Sequence, residues 1–397
     1  MKRNYNFKKY SCQQTSKVRK LETMKRIKNW KLELRNLEKE ILATLKYFFF
    51  FGYPPTLEEI HTFLKKKASK RRIMSILEKM VKKSLVARIF NTQFSIFNEF
   101  SNKNALNITN FNFNINFKFQ ISNSDRAYRY TLGEYIKNNN QQSTINNYLK
   151  RQQISINKLS SWKFNLYVKL LSLVPPVKLV GLSGSVAMLN ADEDHDIDLF
   201  IITAKNRLWT GRFIILILAQ LLGLRRRRED NTGKDEHVAG GNPLTDSGVQ
   251  YKNKVCLNLF FDEKNLKIPK FKQTEYVAHE VLQMKPLIQK DDIYLRFIDP
   301  NKWVFDIFPN SKIKFQSSNI ESNRKRKVQI NSVILILNLI CNLDFVIWIF
   351  NMVESILKNL QLKLITQHQT SEIVTDFQLW FHPDDFEKKL KKSSKFL

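Results

Sequence analysis

The chain has 397 residues, 43% of them hydrophobic, which excludes global disorder and allows about two or three domains. Its formal net charge of +30 favours an anionic partner. A general bias of the composition towards Lys, Asn, Ile and Phe is the alternative, because the extra Lys residues would then lie spread over a solvated surface. Cys12, Cys256 and Cys341 lack CxxC spacing, so a disulfide framework and a zinc site are excluded and a cytoplasmic protein is expected.

The first predicted elements are three helices and a β-hairpin within residues 34–98. Apolar residues recur at helical spacing from Leu34, Thr56 begins a second helix with a capping box, and "KRRIMSILEKMV" predicts a third helix with one apolar face. "LVARIF" and "FSIF" follow as two strands joined by the short loop 91–93. This order resembles the winged helix-turn-helix superfamily, whose third helix can enter a major groove while the hairpin touches the backbone.

Basic residues are concentrated on and before the third helix. Lys70, Arg71, Arg72 and Arg88 are the candidates for nucleic-acid contact, because clustered Lys and Arg side chains bind phosphates. Winged helices also serve as dimerisation or packing modules, and exposed Lys residues are ordinary on helices. Nucleic-acid contact and packing therefore both remain open for this domain.

The rest of the chain divides by composition into three parts. Residues 99–140 are rich in Asn and Phe and are predicted to be a linker or an extended segment, residues 141–300 carry helix and strand patterns, and residues 301–397 are predicted to be mainly helical. The apolar run 333–353 is long enough to span a bilayer, but Asp344 and three asparagines interrupt it. A broken helix pair is therefore favoured, and a membrane partner is not expected.

The strongest functional signal is the segment "GLSGSVAMLNADEDHDIDLFIIT". A strand over 177–182 runs into Gly184 and Ser185, where backbone amides, the Ser185 hydroxyl and the missing Cβ can hold a phosphate. A loop then leads to a second strand, on which Asp196 and Asp198 point to the same face because side chains alternate. Two carboxylates beside a phosphate cradle form a hard-oxygen site suited to Mg²⁺ or Mn²⁺.

Gly184-Ser185, ten intervening residues and the run Asp196-Ile197-Asp198-Leu199 resemble the signature of the DNA polymerase beta-like nucleotidyltransferase superfamily. The resemblance implies an α/β (α+β) nucleotidyltransferase core over residues 141–300, with a small mixed sheet flanked by helices. It also implies Mg²⁺-dependent transfer of a nucleotidyl group from a nucleoside triphosphate. By this resemblance the two aspartates are catalytic metal ligands, and the Gly-Ser pair contacts the triphosphate. Two solvated aspartates at a strand edge are the structural alternative.

The superfamily usually has a third carboxylate on a neighbouring strand, and "KVCLNLFFDE" is the candidate strand here. Strand alternation puts Asn258 and Asp262 on one face, with Asn258 in the middle of the strand, where Asp would be natural. Asn ligates a metal but does not act as a base, and Asp262 substitutes only if the register shifts. The alternative function is therefore a nucleic-acid-binding regulator with a catalytically weak, nucleotide-sensing core.

Two residues near the motif are interpreted from their positions in the sequence. Arg212, in the helix that follows the second strand, is predicted to aim at the triphosphate, with surface solvation as the alternative. His195 precedes Asp196 in a loop and is interpreted as a solvated side chain.

Overall fold

The structure is a computed structural model that describes residues 32–89, 128–134, 141–225, 253–312, 343–367 and 372–381. The described residues form two units, each with an apolar core of its own. The first unit contains residues 32–89, 128–134 and 308–310, and the second unit contains the remainder.

Three helices make most of the first unit: α1 over residues 32–50, α2 over Leu57–Thr62 and α3 over Lys70–Lys82. Thr56 and Glu59 form the predicted capping box at α2, since the side chain of each accepts a hydrogen bond from the other's amide. The apolar faces of the three helices pack together, as their helical spacing predicts. They bury Leu37, Ile41, Leu45, Ile60, Ile73, Leu77 and Met80.

A two-stranded antiparallel sheet completes this arrangement. Strand β1, Val86–Ile89, pairs with β2, Arg129–Leu132. The observed partner of β1 thus comes from the segment predicted as a linker, so that segment contains a strand. Tyr130 is buried in the core of the helices, which explains why this distant strand pairs here. The predicted second strand, residues 94–97, lies outside the described residues.

Residues 308–310 complete the first unit. The Phe308 ring packs edge-on against the Phe63 ring, with centroids 5.4 Å apart. The Asn310 side chain is buried, accepts a hydrogen bond from the Ala68 amide (3.2 Å) and donates one to the Lys66 carbonyl oxygen (3.0 Å). A residue far along the chain therefore satisfies main-chain groups of the loop before α3.

Six strands form one mixed sheet in the second unit, in the order β6-β3-β4-β5-β8-β7. The strands are β3 (Val177–Leu182), β4 (Ile197–Thr203), β5 (Val255–Asp262), β6 (Lys285–Gln289), β7 (Ile373–Val374) and β8 (Gln378–Trp380). Among these described strands only β4 and β5 run parallel, and the other neighbouring pairs are antiparallel. The mixed sheet flanked by helices agrees with the predicted α/β class.

Helices join and cover these strands. They are α4 (Gln141–Ser160), α5 (Trp162–Leu173), α6 (Gly184–Ala187), α7 (Leu208–Leu221), α8 (Glu275–Gln283), α9 (Ile293–Ile298), α10 (Val304–Ile307) and α11 (Leu343–Thr366), with 3₁₀ turns at Lys270–Lys272 and Asp299–Asn301. Phe164, Ile201 and Trp209 belong to the main core between the sheet and its helices. Phe200 faces the other way, because strand side chains alternate, and packs on Phe297 of α9 with ring centroids 5.0 Å apart.

The C-terminal region differs from the mainly helical prediction, since β7 and β8 extend the sheet beside β5. Helix α11 is anchored on α7: the Glu354 carboxylate accepts hydrogen bonds from the Trp209 and Thr210 amides at 2.8 and 2.9 Å. No helix in the described part of the chain is long and apolar enough to cross a membrane. Residues 333–342 of the apolar run lie outside that part.

Candidate functional site

The predicted Gly184-Ser185 turn lies directly beside Asp198. Gly184 is the first residue of α6 and has a φ of +65°, a backbone conformation that favours glycine. A Cβ on Gly184 would lie 2.2 Å from Asp198 Oδ2, a distance that real Cβ atoms do not show. Glycine is therefore required here for two reasons, the backbone conformation and the space that the Asp198 carboxylate takes.

The pairing of β3 with β4 explains why the turn and the aspartates meet. The two strands are antiparallel, with Leu182 opposite Leu199, so the end of β3 and the start of β4 share one edge of the sheet. Ile197 and Leu199 are buried, whereas Asp196 and Asp198 are half-buried. This difference agrees with the predicted alternation, in which the apolar side chains enter the core and the two carboxylates do not.

Helix α4 holds the acidic loop that leads into β4. The Lys158 ammonium, on a side chain only 3% exposed, donates to the carbonyl oxygens of Glu193 (2.8 Å) and His195 (2.7 Å). Burial lowers the pKa of Lys158 below its usual value, while nearby carboxylates, first of them Asp196, oppose the shift. A buried cation therefore fixes the path of the loop close to Asp196. The helical pattern of α4 gives no signal for this residue.

His195 orients the Ser185 hydroxyl. Ser185 Oγ lies 3.1 Å from His195 Nδ1, and the Asp192 amide approaches the same nitrogen at 3.3 Å. Because the amide can only donate, Nδ1 is the acceptor, and the Ser185 hydroxyl then donates to it as well. His195 is exposed, as expected for a loop residue, yet it directs the hydroxyl that the sequence assigns to a phosphate.

A further carboxylate reaches the same turn from helix α8. Glu280 Oε2 accepts a hydrogen bond from the Gly184 amide at 3.2 Å. Desolvation raises the pKa of Glu280 to about 7, against the opposing effect of that hydrogen bond. Sequence reasoning missed Glu280, because "TEYVAHEVLQ" carries only the pattern of an amphipathic helix. The packing of α8 beside β3 brings this residue to the turn.

Asn258 lies in a β-bulge next to Asp198. Asp198 pairs with Cys256, and β5 then has one residue more than β4 before the next pair. The bulge interrupts the strict alternation that the sequence assumed between Asn258 and Asp262. Asn258 therefore lies in the middle of β5, as predicted, two residues after the partner of Asp198, but it brings no carboxylate.

Asp262 lies at the opposite end of the strand from the candidate site. It pairs with Thr203 at the end of β4, about 16 Å along the strand from Asp198. Its carboxylate accepts hydrogen bonds from the amides of Lys264 (2.8 Å) and Arg207 (3.3 Å). Asp262 thus shapes the turn after β5 and the start of α7, which corrects the prediction that it is catalytic.

Arg212 is also remote from the Gly184 turn. Strand β4 runs away from Asp198, so α7 begins at the far end of the strand. The Arg212 guanidinium donates to the Gln361 side chain at 2.6 Å and lies over the Phe381 ring, 5.1 Å from its centroid. The structure therefore places Arg212 in the packing of α11 on α7, and not at a triphosphate.

The four basic candidates of the first unit lie on α3 and β1. Lys70 and Arg72 form ion pairs with glutamates of α2 and α1. Arg88 lies over the Tyr128 ring, 4.1 Å from its centroid. Arg71 is exposed and forms no ion pair within the described ranges. Ion pairs therefore neutralise part of the positive charge that these four residues carry, and Arg71 keeps its charge exposed.

The carboxylates near Gly184 do not form a ready-made metal cage. Within the described ranges, no group of three or more His, Cys, Asp or Glu side chains could hold a metal ion. Mg²⁺ in proteins is often bound by one or two carboxylates together with substrate phosphates, since it keeps several of its waters. Asp196 and Asp198 therefore fit a Mg²⁺ or Mn²⁺ ion that is shared with a bound triphosphate.

A comparison of the chain with protein-family models finds no match. Comparisons with curated proteins and with solved structures likewise find none. The case for a function therefore rests on the contacts of the Gly184 turn and of the acidic strand beside it.

Proposed function

We propose that the chain is a nucleotidyltransferase that moves a nucleotidyl group from a nucleoside triphosphate to an acceptor. The observation that carries this proposal is the contact between Gly184 and the Asp198 carboxylate. It sets the first turn of α6, with its backbone amides, against two carboxylates at one edge of the sheet. Phosphates bind such donors and their metal ion binds carboxylates, so one small region serves both parts of a metal–triphosphate complex.

Each residue of the site has a separate task in this proposal. The Ser185 amide donates to phosphate oxygens, and the Ser185 hydroxyl donates to His195 Nδ1, which holds the turn in place. Asp196 and Asp198 hold the metal ion, which when bound neutralises the triphosphate and the departing pyrophosphate. Lys158 keeps the loop before Asp196 in place through its two hydrogen bonds to main-chain carbonyls.

Transfer of label from an α-labelled nucleoside triphosphate in the presence of Mg²⁺ tests the proposal. The acceptors to be offered are proteins, RNA ends and small molecules. We expect labelling by the native chain and its loss with Asp198→Asn. Asp262→Asn is the matched control, because it changes a strand carboxylate at the other end of the sheet and should leave transfer intact. Nucleotide binding without transfer to any acceptor would replace this function with nucleotide sensing.

We further propose that the first unit is a winged helix that contacts nucleic acid. Its three helices are followed by an antiparallel pair of strands, β1 and β2. The exposed side of α3 carries Arg71, Lys79 and Lys82, which form no ion pairs within the described residues. Cations grouped on one helix face bind phosphates. In this proposal the nucleic acid is either the acceptor or a regulatory partner of the second unit.

A further inference from the structure

We infer that Glu280 is the carboxylate that takes the proton from the acceptor hydroxyl during nucleotidyl transfer. The inference rests on the proposed function and supplies the carboxylate that β5 does not provide near Asp198. Its starting point is the hydrogen bonding of Glu280: Oε2 accepts from the Gly184 amide at 3.2 Å, and Oε1 makes no hydrogen bond to a described residue. Oε1 is therefore available to accept a hydrogen bond from a substrate.

Gly184 brings Glu280 and Asp198 to the same place. Its amide nitrogen bonds to Glu280 Oε2, and the site of its missing Cβ lies 2.2 Å from Asp198 Oδ2. Covalent geometry within one residue then keeps these two oxygens within about 8 Å of each other. A hydroxyl that attacks a phosphate bound beside Asp198 would pass close to Glu280.

The spacing of the carboxylates favours a proton acceptor over a third metal ligand. Within the described residues, Glu280 does not join Asp196 and Asp198 in a group of three side chains that could hold one metal ion. A carboxylate that is not bound to a metal keeps its lone pairs and can accept a proton. The two aspartates and Glu280 can therefore divide the work between metal binding and proton transfer.

The surroundings of Glu280 suit the same task. No Lys or Arg in the described ranges forms an ion pair with it, so no neighbouring cation suppresses its basicity. Burial raises its pKa to about 7. A general base is most effective when its pKa lies near the working pH, because it is then both unprotonated and basic enough.

Helix α8 is also held firmly against the turn. Met284, at the end of α8, fills the space beside Gly181 of β3, where a Cβ would lie 2.4 Å from Met284 Sδ. Strand β6 follows α8 directly and pairs with β3. The Tyr294 hydroxyl donates to the Val281 carbonyl oxygen on α8 at 3.3 Å. Glu280 is therefore carried by a packed helix, which is the support that a catalytic group needs.

The inferred step balances without any further reagent. The acceptor oxygen forms a bond to the α-phosphorus of the nucleoside triphosphate, and the bond from that phosphorus to the bridging oxygen breaks. Pyrophosphate leaves with the electron pair of the broken bond. The hydroxyl proton passes to Glu280 and then to water, and nothing is oxidised or reduced.

Glu280→Gln separates a proton-transfer role from a structural one. Gln keeps the length of the side chain and an oxygen that accepts from the Gly184 amide, but it does not take up a proton. We expect kcat for label transfer to fall by about 10²-fold or more, with unchanged nucleotide affinity and a cooperative thermal unfolding transition that shows a folded chain. Glu280→Asp, a shorter base, should recover part of the lost rate. Glu275→Gln, the same substitution in the first turn of α8, should transfer label like the native chain.

The possible outcomes are distinguishable. Native transfer rates in a folded Glu280→Gln variant would overturn the inference and leave the proposed function standing. A fall in rate that is accompanied by lost nucleotide binding would show that Glu280 only positions the turn, and would overturn the inference too. If the native chain labels no acceptor at all, the proposed function fails first. A fall in kcat alone, with partial recovery in Glu280→Asp, supports the inference.

Discussion

Asp198 Oδ2 occupies the space that a side chain on residue 184 would need, and Gly184 itself has a positive φ. Gly184→Ala should therefore combine backbone strain of about 1–2 kcal/mol with displacement of the Asp198 carboxylate. We expect nucleotidyl transfer to be lost and the free energy of unfolding to fall by about 2–4 kcal/mol in total. Denaturant unfolding and the label-transfer assay measure the two effects.

Gly223→Ala is the matched control for this variant. Gly223 has nearly the same φ, +67°, but a Cβ there would meet no atom within 4 Å. It should therefore show the backbone strain alone and keep the transfer activity. Equal losses of stability and activity in both variants would contradict a specific conflict with Asp198.

Lys158→Met should destabilise the second unit. The substitution keeps an apolar stem of similar length but leaves the Glu193 and His195 carbonyl oxygens without their buried charged donor. We expect the free energy of unfolding to fall by about 2–4 kcal/mol, since hydrogen bonds to charged groups are stronger than neutral ones. We also expect weaker Mg²⁺-dependent nucleotide binding, because the loop before Asp196 loses its support.

Lys150→Met provides the comparison. Lys150 lies on the same helix but is exposed, and its nitrogen is 4.0 Å from the Glu193 carboxylate. An exposed pair of this kind contributes little, so a change of at most about 0.5 kcal/mol is expected. A Lys158→Met chain that is as stable as Lys150→Met would refute the structural importance of the buried ammonium.

The stability of the protein should depend on pH through Glu280. Burial raises its pKa from the usual 4.5 to about 7, so the folded chain binds this proton more tightly than the unfolded chain. The contribution is favourable at low pH, falls as the pH rises from about 4.5 to about 7, and then levels off. The fall amounts to about 3–4 kcal/mol, since each unit of pKa difference is worth about 1.4 kcal/mol.

Unfolding of the native chain and of Glu280→Gln across this pH range isolates the effect. The difference between their unfolding free energies should change with pH in the window from about 4.5 to about 7, because Gln does not titrate. A constant difference across the window would show that Glu280 keeps an ordinary pKa.

Nucleic-acid binding by the first unit should depend on salt and on the outer face of α3. The double variant Arg71→Ala, Lys82→Ala is expected to bind DNA or RNA more weakly and to reduce the slope of log affinity against log salt by about 1–2 units. Gel shifts of the full chain over a salt series measure this slope. A surface change on the second unit, Lys205→Ala, should leave it unchanged. Binding that does not respond to salt would contradict phosphate contact.

The part of the geometry that the sequence pattern indicates is local. Gly184 lies beside Asp198 because a short connection joins two antiparallel strands, and alternation along one strand then decides which side chains are buried. The alternation predicted for β5 is wrong, because a bulge beside Asp198 adds one residue to that strand. The sequence contains no pattern that indicates this bulge. The third-carboxylate position was therefore beyond what periodicity can resolve.

The direction of β4 alone argues against the predicted placement of Arg212 at the triphosphate. A strand that starts at Asp198 ends about 16 Å further on, and the next helix must begin there. Glu280 and β2 are different cases, because both reach their partners through pairing and packing between distant segments. Such contacts depend on which compact arrangement of the whole chain has the lowest free energy, and local sequence patterns do not indicate that arrangement.

The insertion of Phe308 and Asn310 into the first unit has a consequence for synthesis. Helices α1 to α3 emerge from the ribosome early, but the ring that covers Phe63 and the amide that satisfies Ala68 are translated much later. The first unit therefore cannot complete its packing until residues 308–310 have left the ribosome. Truncation before that point is expected to yield an incompletely folded fragment.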